Sequence, residues 1–286
     1  MWQDAEYEDR LVCFLGILGF KELVELSTTP PTAVPYIALG DDRPRDAKGL
    51  CNLFESIHSL LQMHKDEHYA PDSERFKEHS QLRPPIFPKG DTPDFQFNVF
   101  SDSIVFSANR LCIDTLLLFC SLVETITSLL FECSTTCRGG IAWGKLFHKD
   151  NILFGPAMVD AYHLEQKSVY PRVIVSSAVL NVLNSRDLDQ LTKYWITEDD
   201  DGYHFIDIIK NYAGCPDYNY SVMCFTHGLH WLLSVHLEHP NLQVRDKYNW
   251  YRVRFNALLR KVKMHVKSGC PDRDYREEFL QLPYFK

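Results

Sequence analysis

The chain has 286 residues, of which 45% are hydrophobic and 13% aromatic, so it can bury a substantial core. Its formal net charge of -8 excludes a general nucleic-acid binder, because such proteins need a positive surface. The first residues are acidic and unlike a signal peptide, and the most apolar stretch, 111–131, contains Asp114 and Glu124. We therefore expect a soluble, cytoplasmic protein that binds neither membranes nor nucleic acid.

The cysteines and the glycines exclude several common kinds of site. Nine cysteines are scattered through apolar segments, and this odd number favours reduced thiols over a disulfide framework. Cys133, Cys137 and His148 do not complete a zinc ligand set. The chain also has no glycine-rich loop ending in Lys and Ser or Thr, which disfavours a P-loop nucleotidase.

The first part of the chain predicts one strand and one helix. A short apolar run at Leu11–Phe20, with Gly19 near its end, predicts a buried strand. Four prolines within 28–46 predict an irregular segment, and apolar residues at helical spacing from Leu50 to Leu61 predict an amphipathic helix. A second irregular segment is predicted over 69–94.

The middle of the chain begins with a hairpin. Phe95–Phe100 alternates as a half-buried strand does, and Ile104–Phe106 is its return partner across the turn-forming residues Ser101, Asp102 and Ser103. The predicted elements that follow are a helix over 107–132, a strand over 138–147, a helix from Pro156 to Glu165, a strand over 171–176, a hairpin over 194–205, and helices over about 225–238 and 243–267. This order predicts an α+β fold with a ferredoxin-like core.

Asp102 is the residue whose position carries the most chemical information. Mg²⁺ and Mn²⁺ prefer oxygen ligands, and two such ions can activate an attacking oxygen and stabilise leaving phosphates. An Asp in a hairpin turn more often only caps backbone groups. Asp102 lies between two glycine-containing apolar segments, Phe14–Phe20 and Arg138–Gly144.

In this order, Phe14–Phe20, Phe100–Ser103 and Arg138–Gly144 resemble the class III nucleotidyl cyclases. The resemblance is closest to the pyrimidine cyclases of the bacterial Pycsar anti-phage defence system. It covers about residues 11–176 and implies a catalytic domain with a ferredoxin-like class III cyclase core and an antiparallel-rich sheet. Residues 177–286 would form a C-terminal extension, a hairpin and helices packed on the core or at a dimer interface.

The resemblance also implies an activity and a site. The reaction would convert UTP or CTP into the 3',5'-cyclic monophosphate and pyrophosphate, in a homodimer with active sites at its interface. Two Mn²⁺ or Mg²⁺ ions would be held by Asp102, by the backbone carbonyl of Ile17 and by an Asp that the family places where this chain has Gly16. The implied substrate contacts are Phe14, Gly19, Phe20, Lys167 and Arg172.

Gly16 departs from the family pattern. Its neighbours cannot supply the missing carboxylate, because Leu15, Ile17 and Leu18 are apolar and Lys21 is a cation. We therefore expect metal affinity and turnover to be heavily impaired, whether the glycine is natural or was introduced.

A second departure lies in the segment that resembles the family's transition-state helix. There the family's Asn and Arg fall at Val159 and His163. Two alternatives to an active cyclase stay open: a catalytically inert cyclase-fold protein that binds nucleotide or a partner, and a soluble interaction module in which Asp102 is incidental.

Overall fold

The computed structural model describes residues 6–28, 46–65, 92–213, 220–267 and 281–286. Its strands are β1 (Glu8–Leu18), β2 (Phe95–Phe100), β3 (Ser103–Ala108), β4 (Thr136–Lys149), β5 (Ile152–Phe154), β6 (Val173–Val175), β7 (Ile196–Glu198) and β8 (His204–Ile206). Its helices are α1 (Phe20–Thr28), α2 (Ala47–Lys65), α3 (Ile113–Glu132), α4 (Pro156–Lys167), α5 (Ser177–Leu180), α6 (Ser185–Tyr194), α7 (Ile208–Ala213), α8 (Tyr220–His236) and α9 (Leu242–Lys267).

Within the described residues, the strands form a single mixed sheet. Seven of them follow the order β2-β3-β1-β4-β6-β8-β7, and β5 pairs with β4. All pairings are antiparallel except that of β4 with β6. The predicted α+β class is therefore confirmed. The sheet continues beyond residue 176, because β8, from the predicted C-terminal extension, pairs with β6.

Alternation of side chains along β1 separates two cores on the two faces of the sheet. Leu11, Cys13 and Leu15 face the larger core, which α2, α3 and the C-terminal helices cover. Val12 and Phe14 face a smaller core closed by α4. Position 16 has the same parity as these two residues and therefore lies on the α4 face.

The close approach of α4 to the sheet depends on a glycine in β4. A Cβ atom at Gly140 would lie 2.3 Å from the carbonyl oxygen of Ala161 in α4, which is too close for any other residue. The glycine-rich segment of β4 is thus needed for packing within this chain.

Helix α3 is the one described helix that is long and apolar enough to cross a membrane. Most of it is buried, however, in the larger core, where it packs against α8. This burial is typical of the central helix of a soluble protein.

Most predicted elements are present, with shifted ends. The first strand ends at Leu18, and Phe20 begins a helix that the sequence analysis missed together with β5, α5, α6 and α7. The predicted helix over 107–132 begins only at Ile113, because Ser107 and Ala108 still pair with β1. The irregular segments predicted over 28–46 and 69–94 lie largely outside the described residues.

Candidate functional site

The end of β1 holds the residues that the sequence analysis singled out. Gly16 pairs with Ser103 of β3 on one side and with Arg138 of β4 on the other. The next amide, Ile17 N–H, donates a hydrogen bond of 2.7 Å to the carbonyl oxygen of Asp102. The β2–β3 hairpin is thereby held against the position that lacks a carboxylate.

The hairpin presents Asp102 to solvent. Phe100 pairs with Ser103, so Ser101 and Asp102 form a two-residue loop. Ser101 has φ of 51°, the left-handed conformation that tight hairpin loops require. The Asp102 side chain is exposed, and its Oδ1 accepts only a long bond of 3.4 Å from Ser103 Oγ. This carboxylate is therefore available to a ligand.

A buried carboxylate from α4 faces Gly16. Glu165 is 5% exposed, and its Oε1 would lie 3.1 Å from a Cβ atom built on Gly16. Arg138 Nε donates to the same oxygen over 2.6 Å, and the Gln166 side-chain amide donates to Oε2. Arg138 also reaches the Ser168 carbonyl, at 3.4 Å. The charge of Glu165 is therefore already compensated.

The sequence analysis did not identify Glu165 as part of this site. One feature of the sequence could have indicated this residue. Ala157, Ala161 and Glu165 recur every four residues and form the buried stripe of α4. An acidic residue in such a stripe requires a buried partner. Arg138 is that partner, and only the pairing of the strands shows that it lies beside Gly16.

The turn after β1 is tight and well anchored. Gly19 has φ of 70°, and the Leu23 amide donates to its carbonyl oxygen over 3.1 Å. Thr135 Oγ1 donates to the carbonyl oxygen of Leu18. The Phe20 ring packs edge-on against Phe54 of α2, with ring centroids 5.9 Å apart, so its side chain already has a packing partner.

Other predicted substrate contacts lie in different surroundings. Phe14 is buried against Tyr162 of α4, with ring centroids 5.6 Å apart, two residues from Gly16. Lys167 is exposed at the end of α4. The Arg172 side chain is fully buried and paired with Asp199 and Asp201 of the β7–β8 connection. Arg172 would have to leave these partners to contact a substrate.

The outward face of α4 carries Val159 and His163, the two positions that the sequence analysis compared with a cyclase Asn and Arg. Val159 is 50% exposed, and His163 is also exposed, beside the ring of Tyr162. Neither side chain belongs to the buried stripe of the helix. Both side chains are therefore accessible to solvent.

The oxygen donors at the end of β1 can be compared with those that a pair of divalent ions requires. Asp102 offers one uncommitted carboxylate and the backbone contributes carbonyl oxygens, whereas Gly16 offers no side chain. Glu165 is close, but Arg138 and Gln166 already occupy its oxygens. Within the described residues, Asp102 together with an already paired Glu165 does not fit a two-cation centre, which needs several free oxygen ligands.

No protein-family model matches this chain, and neither does any curated protein. A family assignment for the chain therefore depends on the three sequence segments and on their arrangement around the end of β1.

Proposed function

We propose that this chain is a pyrimidine nucleotide cyclase of the class III type whose turnover is impaired at Gly16. Its reaction would be attack of the 3'-hydroxyl of UTP or CTP on the α-phosphorus, with pyrophosphate as the leaving group. The product, cyclic UMP or cyclic CMP, would act as a second messenger in anti-phage defence. The observation that carries the proposal is the contact between the Asp102 hairpin and the end of β1 through Ile17.

The chain topology supports the same proposal. β1, the helices α1 and α2, β2, β3, α3 and β4 follow one another in the β-α-β-β-α-β order of ferredoxin-like folds. The sheet order β2-β3-β1-β4 puts the hairpin beside the first strand. A class III cyclase core needs this proximity, because its two acidic residues come from these two places.

The proposal includes a requirement for a divalent cation. We expect this cation to bind weakly, because Gly16 has no carboxylate. When bound, Mn²⁺ or Mg²⁺ would neutralise the phosphates, with Asp102 and the carbonyl oxygen of Ile17 as its ligands. Because Gly16 contributes no carboxylate beside Asp102, we expect weak binding of the cation and slow turnover. The backbone amides of the Leu18–Phe20 turn would lie near the triphosphate.

A homodimer with active sites at the interface is also proposed. Several apolar side chains on or near α4 are about half exposed, as in surfaces that meet a partner. They are Tyr7 (51%), Phe154 (47%), Val159 (50%) and Tyr162 (44%). Head-to-tail pairing would bring the outward face of one α4 to the Asp102 hairpin of the other subunit.

The second candidate function is a catalytically inert protein that binds a nucleotide or a partner. The pairing of Glu165 with Arg138 beside Gly16 favours it, because this arrangement is self-sufficient without a metal. In this case nucleotide binding would persist while no cyclic product forms, even after a carboxylate is restored.

The deciding experiment incubates the protein with UTP, CTP, ATP or GTP and Mn²⁺ and quantifies cyclic product by chromatography. The parent chain, Gly16→Asp and Gly16→Asn are compared, since Asn matches Asp in shape without its charge. We expect product from a pyrimidine nucleotide in the Asp variant, at least tenfold above the Asn variant, and its loss when Asp102→Asn is added. If no variant forms product but nucleotide still binds, the inert protein is the correct assignment. If none binds nucleotide, the cyclase and the nucleotide-binding form of the inert protein are both wrong, and the result points to a module that binds a partner.

A further inference from the structure

The end of helix α8 contacts the turn between α3 and β4. His236, the last residue of α8, places its Nε2 2.8 Å from the carbonyl oxygen of Ser134. A carbonyl oxygen can only accept, so Nε2 carries the proton and donates. Ser134 is buried and has φ of 54°, so this bond holds a turn that adopts an unfavourable backbone conformation.

The turn at Ser134 and Thr135 also holds the end of β1. Thr135 Oγ1 donates to the carbonyl oxygen of Leu18. The same hydroxyl would lie 3.9 Å from a Cβ atom on Gly19, so it is adjacent to the glycine of the β1–α1 turn. His236 is therefore connected to Leu18 and Gly19 through two consecutive residues.

Helix α9 fixes the imidazole from the other side. The His236 ring stacks on Tyr248, with centroids 4.1 Å apart and planes 6° from parallel. Burial raises the pKa of Tyr248, and the charge of Glu22 in the first turn of α1 raises it further. Tyr251 of α9 lies within hydrogen-bonding distance, 3.3 Å, of Thr136, which pairs with Leu18.

We propose that His236 is a positioning residue: it holds the Leu18–Gly19 turn in the conformation that binds a nucleoside triphosphate. The nucleotide part of this inference rests on the proposed function; the positioning part rests on the contacts alone. The C-terminal extension then has a defined role: it sets the conformation of the turn whose backbone amides meet the phosphates. A signal that displaces α8 would loosen this turn without touching Asp102.

The first test measures amide hydrogen exchange over residues 17–22 in the full-length, nucleotide-free protein. His236→Phe keeps an aromatic ring on Tyr248 but removes the donor, and we expect exchange about tenfold faster in this segment. His236→Gln can place an amide N–H at a similar reach and should restore slow exchange. Unchanged exchange in the Phe variant, or equally fast exchange in both variants, would overturn the inference.

A second variant tests the connection through Thr135, and a stability measurement separates local from global opening. Thr135→Val removes the hydroxyl that holds Leu18 and should raise exchange over the same residues while His236 stays intact. Urea denaturation of each variant identifies exchange that arises from global unfolding. If the Val variant leaves residues 17–22 as protected as in the parent, the proposed connection through Thr135 is wrong.

The nucleotide part is tested by calorimetric binding of UTP and CTP with Mn²⁺. We expect the dissociation constant to rise about tenfold in His236→Phe and to return towards the parent value in His236→Gln. Equal affinity in parent and Phe variant would overturn the positioning of nucleotide by His236. If the parent binds neither nucleotide, the proposed function fails, and the exchange measurement still decides whether His236 fixes the turn.

Discussion

Glu165 fills the space that a side chain at Gly16 would need: its Oε1 lies 3.1 Å from the position of a Cβ atom there. The same oxygen accepts a 2.6 Å hydrogen bond from Arg138 Nε. A residue added at position 16 must therefore displace a buried carboxylate that is already paired. This relationship determines what it costs to place an Asp at position 16.

Gly16→Asp is expected to destabilise the metal-free protein. The new carboxylate would be forced against Glu165, and like charges in a buried site repel, so we expect about 1–2 kcal/mol less stability than in Gly16→Asn at pH 7. Urea denaturation of both variants measures this difference. The double variant Gly16→Asp with Glu165→Gln should recover most of it, because the repulsion is then absent.

Two conditions should reduce the penalty in Gly16→Asp. Acid reduces it by protonating a carboxylate, and Mn²⁺ reduces it if the cation binds between the acidic groups. Neither condition should affect Gly16→Asn to the same extent. Equal stability of the Asp and Asn variants at pH 7 would show that Glu165 moves away freely and that Arg138 does not hold it.

An ion network anchors the β7–β8 connection to α9. Asp199 accepts hydrogen bonds from the buried Arg172, from Trp250 Nε1 at 2.9 Å and from Arg254 at 3.1 Å. Asp199→Ala would leave the Arg172 guanidinium buried with only Asp201. We expect a loss of about 3 kcal/mol in the free energy of unfolding, because breaking a buried pair leaves an uncompensated charge.

The neighbouring Asp200 provides a matched control, since it is exposed and forms none of these ion pairs. Asp200→Ala should change stability by less than about 0.5 kcal/mol. Burial alone would raise the pKa of Asp199, but the Trp250 hydrogen bond and the charge of Arg254 lower it overall. The contribution of Asp199 is therefore complete above its ordinary pKa and is lost as the pH falls below about 4. Similar losses in the two variants would contradict this account.

The sequence predicted those features of the fold that depend on local patterns. The alternation of Phe95–Phe100 and the turn formers after it correctly predicted the hairpin. Helix α1 was missed because Phe20 was read as the end of the strand. Leu23 is the one buried residue of this helix, and its Lys21 pairs with Glu25 one turn later. A short helix with so small a buried face has a weak hydrophobic period.

The position of Glu165 could not be predicted from the sequence because it depends on distant residues. This position depends on the register of β1 with β4 and on the close packing of α4 against Gly140. Neither can be read from the residues next to Glu165 in the sequence. Likewise, the burial of Arg172 depends on the β7–β8 hairpin that follows it by nearly thirty residues. Side chains from distant elements thus account for what the sequence analysis missed about Glu165 and Arg172.

The buried thiols are expected to be unreactive in the native protein. Burial raises the pKa of Cys13, of Cys120 and, to about 11, of Cys137. The reactive thiolate is therefore scarce at pH 8, whereas Cys51 is exposed. With a thiol reagent and peptide mapping, we expect Cys51 to be labelled at least a hundredfold faster than these three. Comparable rates would show that the core opens readily.

Two ionisable groups, the partly buried Glu124 and the buried His148, should give opposite dependences of stability on pH. Burial raises the pKa of Glu124 to about 7, despite hydrogen bonds from Tyr212 and Asn211. Burial and the charge of Arg10 lower the pKa of His148 to about 4. Between pH 4.5 and 7 the folded state binds the extra proton at Glu124, so this group lowers stability as pH rises. At His148 the situation is reversed: between pH 4 and 6.5 the unfolded state binds more protons than the folded state. This group therefore raises stability as pH rises.

The geometry around His148 explains why it stays neutral. Arg10 Nε donates to Ser107 Oγ, whose hydroxyl can then donate to His148 Nδ1 at 2.8 Å, while Nε2 donates to Asn98 Oδ1 at 2.6 Å. A proton on Nδ1 would leave the Ser107 hydroxyl hydrogen without this acceptor, close to a guanidinium. Each nitrogen of the neutral ring therefore already has a suitable partner.

Single variants separate the two effects in urea denaturation at pH 5 and pH 7.5. Relative to the parent, Glu124→Gln should gain roughly 2 kcal/mol of stability on going from pH 5 to pH 7.5. His148→Phe should lose a similar amount over the same change, on top of a constant cost for the unpaired Ser107 and Asn98. A pH dependence identical to the parent's in either variant would mean that the substituted residue titrates normally in the folded protein.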